Sequence, residues 1–288
     1  MKKDSHKGHL LSIDFESWFF SKKINKQNLT LEEYRRLDNK YIPHVLNYLL
    51  DTLRKHNQKT TFFIVGKIEE IYPGTIEKIL KQGHEVGWHT HTHEHILSEE
   101  ILKKELYLSS KIIKKYKMKG FQAPAIKFFK KGYQILKDNG FEYSSSIYGN
   151  SNYIYKINNI LEIPVSSSSK THKPKKHELV FPSDMSLSNI KKFGIPFGSS
   201  YFWGILRKPY YSKKFEEAIN NDQSINMFIH DWQLVTPTSP RYKKDFNPFL
   251  NPSFLPYTIN LSNMFEYLLA NYKFRKFKDY LRDEKKRK

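Results

Sequence analysis

The chain has 288 residues, 39% of them hydrophobic and 15% aromatic, which supplies a sizeable core and argues against wholesale disorder. It contains no cysteine, so disulfides and thiolate metal sites are excluded and any transition metal must be held by His, Asp or Glu. The 49 Lys+Arg against 29 Asp+Glu leave a formal net charge of +20, spread along the chain with neither a zinc-finger spacing nor an RNA-binding aromatic signature. The charge therefore reads as a solvated lysine-rich surface, with contact to an anionic membrane or a phosphate-linked substrate as the next expectation and nucleic acid set aside. In chain order, the first strand candidate is HLLSIDF (9–15), where Asp14 and Glu16 interrupt the apolar run. No uninterrupted apolar segment long enough for a secretory signal or a bilayer span is present, so the expected location is cytoplasmic, with peripheral membrane contact allowed.

Leu46, Leu49, Leu50 and Leu53 then recur at helical spacing, followed by the β-rich runs TTFFIVG (60–66) and HEVGWH (84–89). A second helical set comprises Ile101, Leu102, Leu106, Leu108, Ile112 and Ile113. After it come GFQAP (120–124), EYSSSI (142–147), ILEIPV (160–165) and INMFIHDW (225–232). Gly83, Gly120 and Gly140 follow helical segments, where a left-handed C-terminal cap is expected, and each precedes a strand candidate. Repeated helix–glycine–strand units predict parallel strands with right-handed crossovers, in a barrel or a doubly wound sheet. No glycine-rich phosphate loop supports a nucleotide-binding sheet. The irregular stretch around 166–200 is read as an insertion within one domain spanning 1–288, and residues from about 273 as a basic C-terminal tail.

Costly polar residues end three of the apolar strands, where sites assemble in barrels and open α/β sheets. Asp14 and Glu16 share one face of an extended segment, and two such carboxylates repel unless a cation or donor intervenes. One of them could bind a metal and the other act as a base. Histidines at 84, 89, 91, 93 and 95 offer imidazole ligands. On a fully extended chain His89 and His93 would lie ~13 Å apart, too far for one ion. So either neighbours in the alternation bind, such as His89 with His91, or the chain turns after His89 and brings His93 to it. His230 follows the last apolar strand. A lone histidine there serves structure unless it faces the same cavity.

Taken in order, these residues resemble the polysaccharide deacetylase family (NodB homology, carbohydrate esterase family four). SIDFES resembles the opening motif of its Asp-x-Asp/Glu subgroup, HEVGWHTHTH its His-Thr/Ser-x-x-His motif, GFQAP its third motif, FEYSSSI the following strand, and MFIHDW the last, histidine-bearing motif. FGSSYFWGILRKPYY resembles a Tyr-Phe stretch before that histidine. The resemblance implies a distorted (β/α) barrel of about seven strands with the site at the strand C-termini. It implies zinc or another divalent ion held by Glu16, His89 and His93, with Asp14 as the base and His230 as the proton donor to a departing sugar nitrogen. The implied reaction is metal-dependent removal of an acetyl group from an N-acetylated sugar in a glycan, glycolipid or nucleotide-linked precursor.

Two departures stand out. Gln122 occupies the position where the family usually has an arginine orienting the base, and Ser144 a position where an aspartate is common. A glutamine donates a hydrogen bond but carries no charge. Gln122, Pro124, Arg207 and Trp232 are the weaker candidates for orienting the base or binding substrate, Arg207 as a substitute cation. Alternative readings are a carbohydrate-binding relative with little or no turnover, and a hydrolase of a non-sugar amide. An aromatic groove including Trp88, Tyr201, Trp203 or Trp232 would favour sugars, whose apolar faces stack on rings, although such side chains more often form core.

Overall fold

The structure, a computed structural model, describes residues 8–20, 28–149, 152–168, 187–188, 194–250 and 252–286. Its strands are β1 (His9–Phe15), β2 (Thr61–Ile64), β3 (Glu85–Trp88), β4 (Gly120–Phe121), β5 (Tyr143–Ser144), β6 (Tyr148–Gly149), β7 (Tyr155–Ile157), β8 (Ile160–Glu162), β9 (Val165–Ser166), β10 (Asn226–His230) and β11 (Phe274–Arg275). The main sheet has the order β10-β1-β2-β3-β4-β5-β8-β7, with β11 beside the first residues of β1. From β10 to β8 seven strands run parallel, and only the β7–β8 hairpin is antiparallel. This is the distorted, incomplete (β/α) barrel that the family resemblance implies.

Parallel strands covered on both faces need continuous apolar runs, and β1, β2 and β3 are buried along their whole length. The helix Tyr41–Lys55 buries the predicted stripe Leu46, Leu49, Leu50 and Leu53. In the helix Glu99–Tyr116, Leu102 and Leu106 face the core while Leu108 is exposed, being two residues and thus about 200° around the axis from Leu106. Gly83 and Gly140 take the expected left-handed conformation. Gly120 does not. Lys117 caps that helix instead, and Gly120 lies in β4 against the Tyr143 ring, where any side chain would collide with the phenol.

The expected C-terminal tail is a folded element. β11 leads into the helix Phe277–Lys286, whose first turn is held at the N-terminal ends of β2 and β3: Phe277 N–H donates to Thr61 Oγ1 (3.1 Å) and Lys278 N–H to Glu85 Oε2 (3.0 Å). Phe277 stacks on Tyr143 with centroids 5.5 Å apart. The polar C-terminal strand ends lie at the opposite end of the barrel. Most of the predicted insertion falls outside the described residues; at its margins Ser168 bridges to Ile195.

The open side of the curled sheet is drawn together by Gly198. Its N–H donates to Ser166 O (2.8 Å) in β9, and its carbonyl accepts from Phe228 N–H (2.9 Å) in β10. Asn226 Nδ2 donates across the same gap to Ser145 Oγ and Pro164 O (both 3.0 Å). A Cβ on Gly198 would strike the Asn226 carbonyl and the Ser166 nitrogen, both backbone atoms with little room to yield. Gly198→Ala is expected to lower unfolding free energy by about 2–3 kcal/mol, as overpacking against fixed atoms does. Urea unfolding measures this, and an unchanged midpoint would show that the seam is not closed in this way.

Candidate metal centre

Asp14 is the penultimate residue of β1 and stands in register with His230 at the end of β10. Just beyond, Glu16 and Ser17 turn the chain inward, Ser17 with φ 56°. That turn is held by Asp231, whose Oδ1 accepts both backbone N–H groups, from Glu16 at 3.1 Å and from Ser17 at 3.0 Å. Burial, and secondarily the Glu16 charge, push the Asp231 carboxyl up to about 8.

The histidine segment resolves the choice left open by spacing. After β3 the chain turns, with Thr90 and His93 at φ 63° and 61°. Thr90 and His91 carbonyls accept from Gly66 and Lys67 N–H (2.9 and 3.0 Å). Glu105, buried on the inner face of its helix, accepts the N–H groups of His91 and Thr92 (both 2.7 Å) and the Thr92 hydroxyl (2.7 Å). The turn brings the His89 and His93 rings to 5.1 Å between centroids. His91 points away, to Ser109 Oγ (3.2 Å) and Glu70 (3.4 Å), so the His89–His91 pairing is not formed. His84 is structural: its Nδ1 accepts from Thr60 N–H (3.3 Å).

Glu16 meets three imidazoles. Its Oε2 lies 2.6 Å from His93 Nε2 and 3.2 Å from His89 Nε2, and its Oε1 lies 3.6 Å from His230 Nε2. Trp232 Nε1–H donates to Oε1 (3.2 Å). Burial alone would raise the Glu16 carboxyl, but the charges of His93 and His230 and hydrogen bonds from His89 and His93 hold it well below the usual carboxylate range. His93, which burial would lower, is raised by Glu16. One ligand atom from each of Glu16, His89 and His93 falls within 4.8 Å of the others. Two ligands of a single ion at ~2.1 Å stand up to about 4.2 Å apart, so small side-chain adjustments let all three reach one centre. His89 is also held from behind, its Nδ1–H donating to the Gln122 carbonyl (2.8 Å), which turns Nε2 toward the cluster. Such outer hydrogen bonds fix the tautomer and orientation of metal-binding imidazoles. The donor set fits a divalent ion.

Asp14 is buried, and its Oδ1 makes no hydrogen bond among the described residues. Desolvation, then the charges of Glu16 and Asp231, raise this carboxyl well above its ordinary value. His230 Nδ1 is pinned between Ser200 Oγ (2.9 Å) and Gln233 Oε1 (2.8 Å), and its ring stacks on Trp232 (4.9 Å, 18°). Burial is the main cause lowering its pKa.

The weaker candidates fare unevenly. Gln122 is buried at the cluster, yet neither atom of its side-chain amide finds a partner among the described residues, so it does not orient Asp14 through a hydrogen bond; its contribution is the backbone carbonyl under His89. Pro124 opens a buried 3-10 turn just after it. Arg207 is exposed at the kink of the helix Ser200–Asn220 and is not part of the buried cluster. Trp232 joins the cluster directly. Trp88 and Trp203 are fully buried core, whereas Tyr257 stands edge-on to His230 at 5.8 Å and Tyr201 packs against Tyr257 at 5.2 Å.

Sequence reasoning missed Asp231, Ser200, Gln233 and above all Glu105. A signal for Glu105 existed, because Leu102, Glu105, Leu106 and Ser109 form an i, i+3, i+4, i+7 stripe in which the acid sits on the buried face. A further buried network lies beneath Gln122. Ser146 Oγ accepts from Ala123 N–H (2.9 Å) and meets Ser144 Oγ (2.8 Å), while Glu162 accepts from Ser146 N–H (2.7 Å) and Tyr133 OH (2.8 Å). Ser144, at the position where an aspartate is common, is part of this framework. Burial pushes Glu162 up to about 7.

With this geometry in place, comparison with known proteins shows what the chain resembles. A family model described as polysaccharide deacetylase matches residues 34–144. The stretch includes His89 and His93 but not Asp14, Glu16 or His230. Over that stretch the chain is similar to the polysaccharide deacetylases. It is 26% identical over 135 residues to a peptidoglycan-N-acetylglucosamine deacetylase of Bacillus cereus, covering 46% of each chain. It is 41% identical over 51 residues to the peptidoglycan-N-acetylmuramic acid deacetylase PdaC of Bacillus subtilis, covering 18% of this chain and 11% of that one. The matches thus span less than half the length of these curated relatives. A solved structure of a polysaccharide-deacetylase-like protein from Mycobacterium smegmatis shares the fold, with a TM-score of 0.50 at 15% identity, covering 94% of this chain and 95% of that one.

Two outcomes follow from the supporting shell. Glu105→Ala frees the backbone of the histidine turn and is expected to weaken divalent-ion affinity by about 10–100-fold, the usual effect of losing an outer-shell anchor; competition with a chromophoric chelator measures it, and unaltered affinity would show that the turn holds itself. Glu162, with its pKa raised by folding, stabilises the native state fully below pH 4.5, and that contribution is lost as pH rises through about 7. Each tenfold change in proton affinity is worth about 1.4 kcal/mol, so a few kcal/mol of stability should drain across this window. Glu162→Gln should flatten that slope in chemical denaturation at stepped pH, and an undiminished slope would place its origin elsewhere.

Proposed function

We propose that the chain is a metal-dependent N-deacetylase acting on an N-acetylated sugar in a glycan, glycolipid or nucleotide-linked precursor. The observation that supports this most directly is the convergence of Glu16, His89 and His93 beside a buried, proton-avid Asp14 and an anchored His230. Two imidazoles with one carboxylate are a donor set used by catalytic zinc sites, and zinc is the ion we assign. When bound, the ion lowers the pKa of water and polarises the amide carbonyl.

The chain's own residues divide the proton traffic. Asp14, raised by desolvation and by the neighbouring carboxyls, is suited to take a proton from the attacking water. Its unpartnered Oδ1 is the accepting atom. His230, fixed through Nδ1 by Gln233 and Ser200, presents Nε2 to the cluster and delivers a proton to the departing sugar nitrogen. Its burial-lowered pKa favours release of that proton. Trp232 holds the other face of the site by donating to Glu16 and stacking on His230. The products are acetate and a free amino sugar.

A second reading, a carbohydrate-binding relative without turnover, draws on one observation. Gln122 supplies no charge at the base, and its side-chain amide is unpartnered among the described residues. Acetate release separates the two. Asp14→Asn is expected to keep bound zinc but lose at least about 10³-fold in turnover on an N-acetylglucosamine oligomer, the upper part of what a positioned base contributes. His89→Ala and His93→Ala are expected to lose the ion and the activity together. Full activity in Asp14→Asn would remove the base assignment, and metal binding with no acetate from any N-acetylated glycan would favour the binding protein.

A further inference from the structure

The rim beside His230 carries an apolar surface that deacetylation does not use. The segment 246–259 begins and ends on the site. Phe246 packs on Trp232 (5.2 Å), Phe254 packs on Phe246 (5.3 Å), and Tyr257 packs on Trp232 (5.5 Å) and His230 (5.8 Å). At the tip of the segment Phe249 is 94% exposed and Leu250 75% exposed. The tip is shaped by Asn247, whose side chain accepts from Phe249 N–H (2.9 Å) and whose carbonyl accepts from Leu250 N–H (3.1 Å). Leu255, further along, is 55% exposed. The neighbouring helix adds Ile205, 48% exposed, next to Gly204, which lies against Ile259.

Strongly exposed aromatic and leucine side chains at a turn tip keep apolar area in water at a cost of about 25 cal/mol per Å², so a shaped tip of this kind calls for an apolar partner. The charges around it point to which one. Residues 239–260 hold Arg241, Lys243 and Lys244 against the single acid Asp245, and residues 200–210 hold Arg207 and Lys208 with no acid. Lys243 and Lys244 are exposed on the short helix Pro240–Asp245 immediately before the tip. Protruding apolar side chains flanked by cations suit the boundary between acyl chains and anionic headgroups. A soluble polyanion would match the cations but leave Phe249 and Leu250 in water.

We propose that Phe249 and Leu250, together with the exposed Leu255, Ile205 and Ile259, form a surface that docks the rim of the site on an anionic lipid bilayer. Of the four side chains of the cluster, His93 and His230 are the more accessible, at 16% and 13%, and His230 is walled by the same segment that carries the tip. Docked in this way, the site meets sugars carried by membrane lipids. That choice of substrate rests on the deacetylase reading, whereas the docking does not.

The test is flotation of the full chain with vesicles of phosphatidylcholine alone or with 30 mol% phosphatidylglycerol, a composition chosen as roughly that of an anionic leaflet. Binding is expected to the anionic vesicles and to fall steeply with salt. Phe249→Ser with Leu250→Ser should reduce it at least tenfold, while circular dichroism and zinc affinity stay as in the parent. Lys243→Glu with Lys244→Glu should weaken anionic-vesicle binding by roughly fivefold per charge lost and leave neutral vesicles unaffected. Failure of the parent to float, or undiminished flotation of the double serine variant, overturns the proposal. So does a parent that floats with neither vesicle but sediments as a dimer that the serine variant dissociates, since the patch would then cover a second copy. Acetate release from soluble oligomers is scored separately, so loss of vesicle binding with intact turnover rejects the docking alone when it is the parent that fails to bind.

Discussion

A buried carboxylate facing three imidazoles is the constraint around which the rest of this structure is arranged. Glu16 is taken out of water at the end of a parallel strand, and desolvation alone would drive it to bind a proton. It remains acidic because His89, His93 and His230 converge on it from two other strand ends. His89 lies 73 residues along the chain from Glu16, and His230 further still, so the parallel sheet is what makes the meeting possible. β1 lies between β10 and β2, and β2 pairs with β3, placing the ends of β1, β3 and β10 around one opening. Their polar ends cluster at one end of the barrel while the C-terminal helix closes the other.

The supporting shell is built from backbone as much as from side chains. The carbonyl of Gln122 aims His89, and Asp231 and Glu105 collect N–H groups from the turns that present Glu16 and His93. Gln122 contributes to the cluster through its backbone. Its carbonyl performs the positioning of His89 whatever its side chain does. At Asp14, burial and then the charges of Glu16 and Asp231 raise the carboxyl.

Much of the arrangement is legible in the sequence because its signals are local. The apolar run 9–15 broken by Asp14 marks β1 to the residue, and the ordered motifs locate Glu16, His89, His93 and His230. Turn geometry is not legible, since spacing alone leaves His91 and His93 as equal partners for His89. The choice depends on Glu105, which acts from a helix 14 residues beyond His91. Arg207 attracts notice by its charge, yet it is exposed because its helix kinks there. Gly120 resembles a cap by its place after a helix; its real role is to admit the Tyr143 ring, a contact set by strand pairing. The basic stretch from 273 looks like a tail because its lysines mask Phe277, Tyr280 and Leu281, the buried face of a closing helix.

The central claim is that one ion is shared by Glu16, His89 and His93, and X-ray absorption at the zinc edge of the zinc-loaded protein tests it most directly. The account predicts a first shell of two imidazole nitrogens and oxygen ligands at about 2.0–2.1 Å, with one imidazole contribution lost in His93→Ala and none lost in His91→Ala. A spectrum unchanged by His93→Ala but altered by His91→Ala would contradict it, because the ion would then sit on the face of the turn that points away from Glu16.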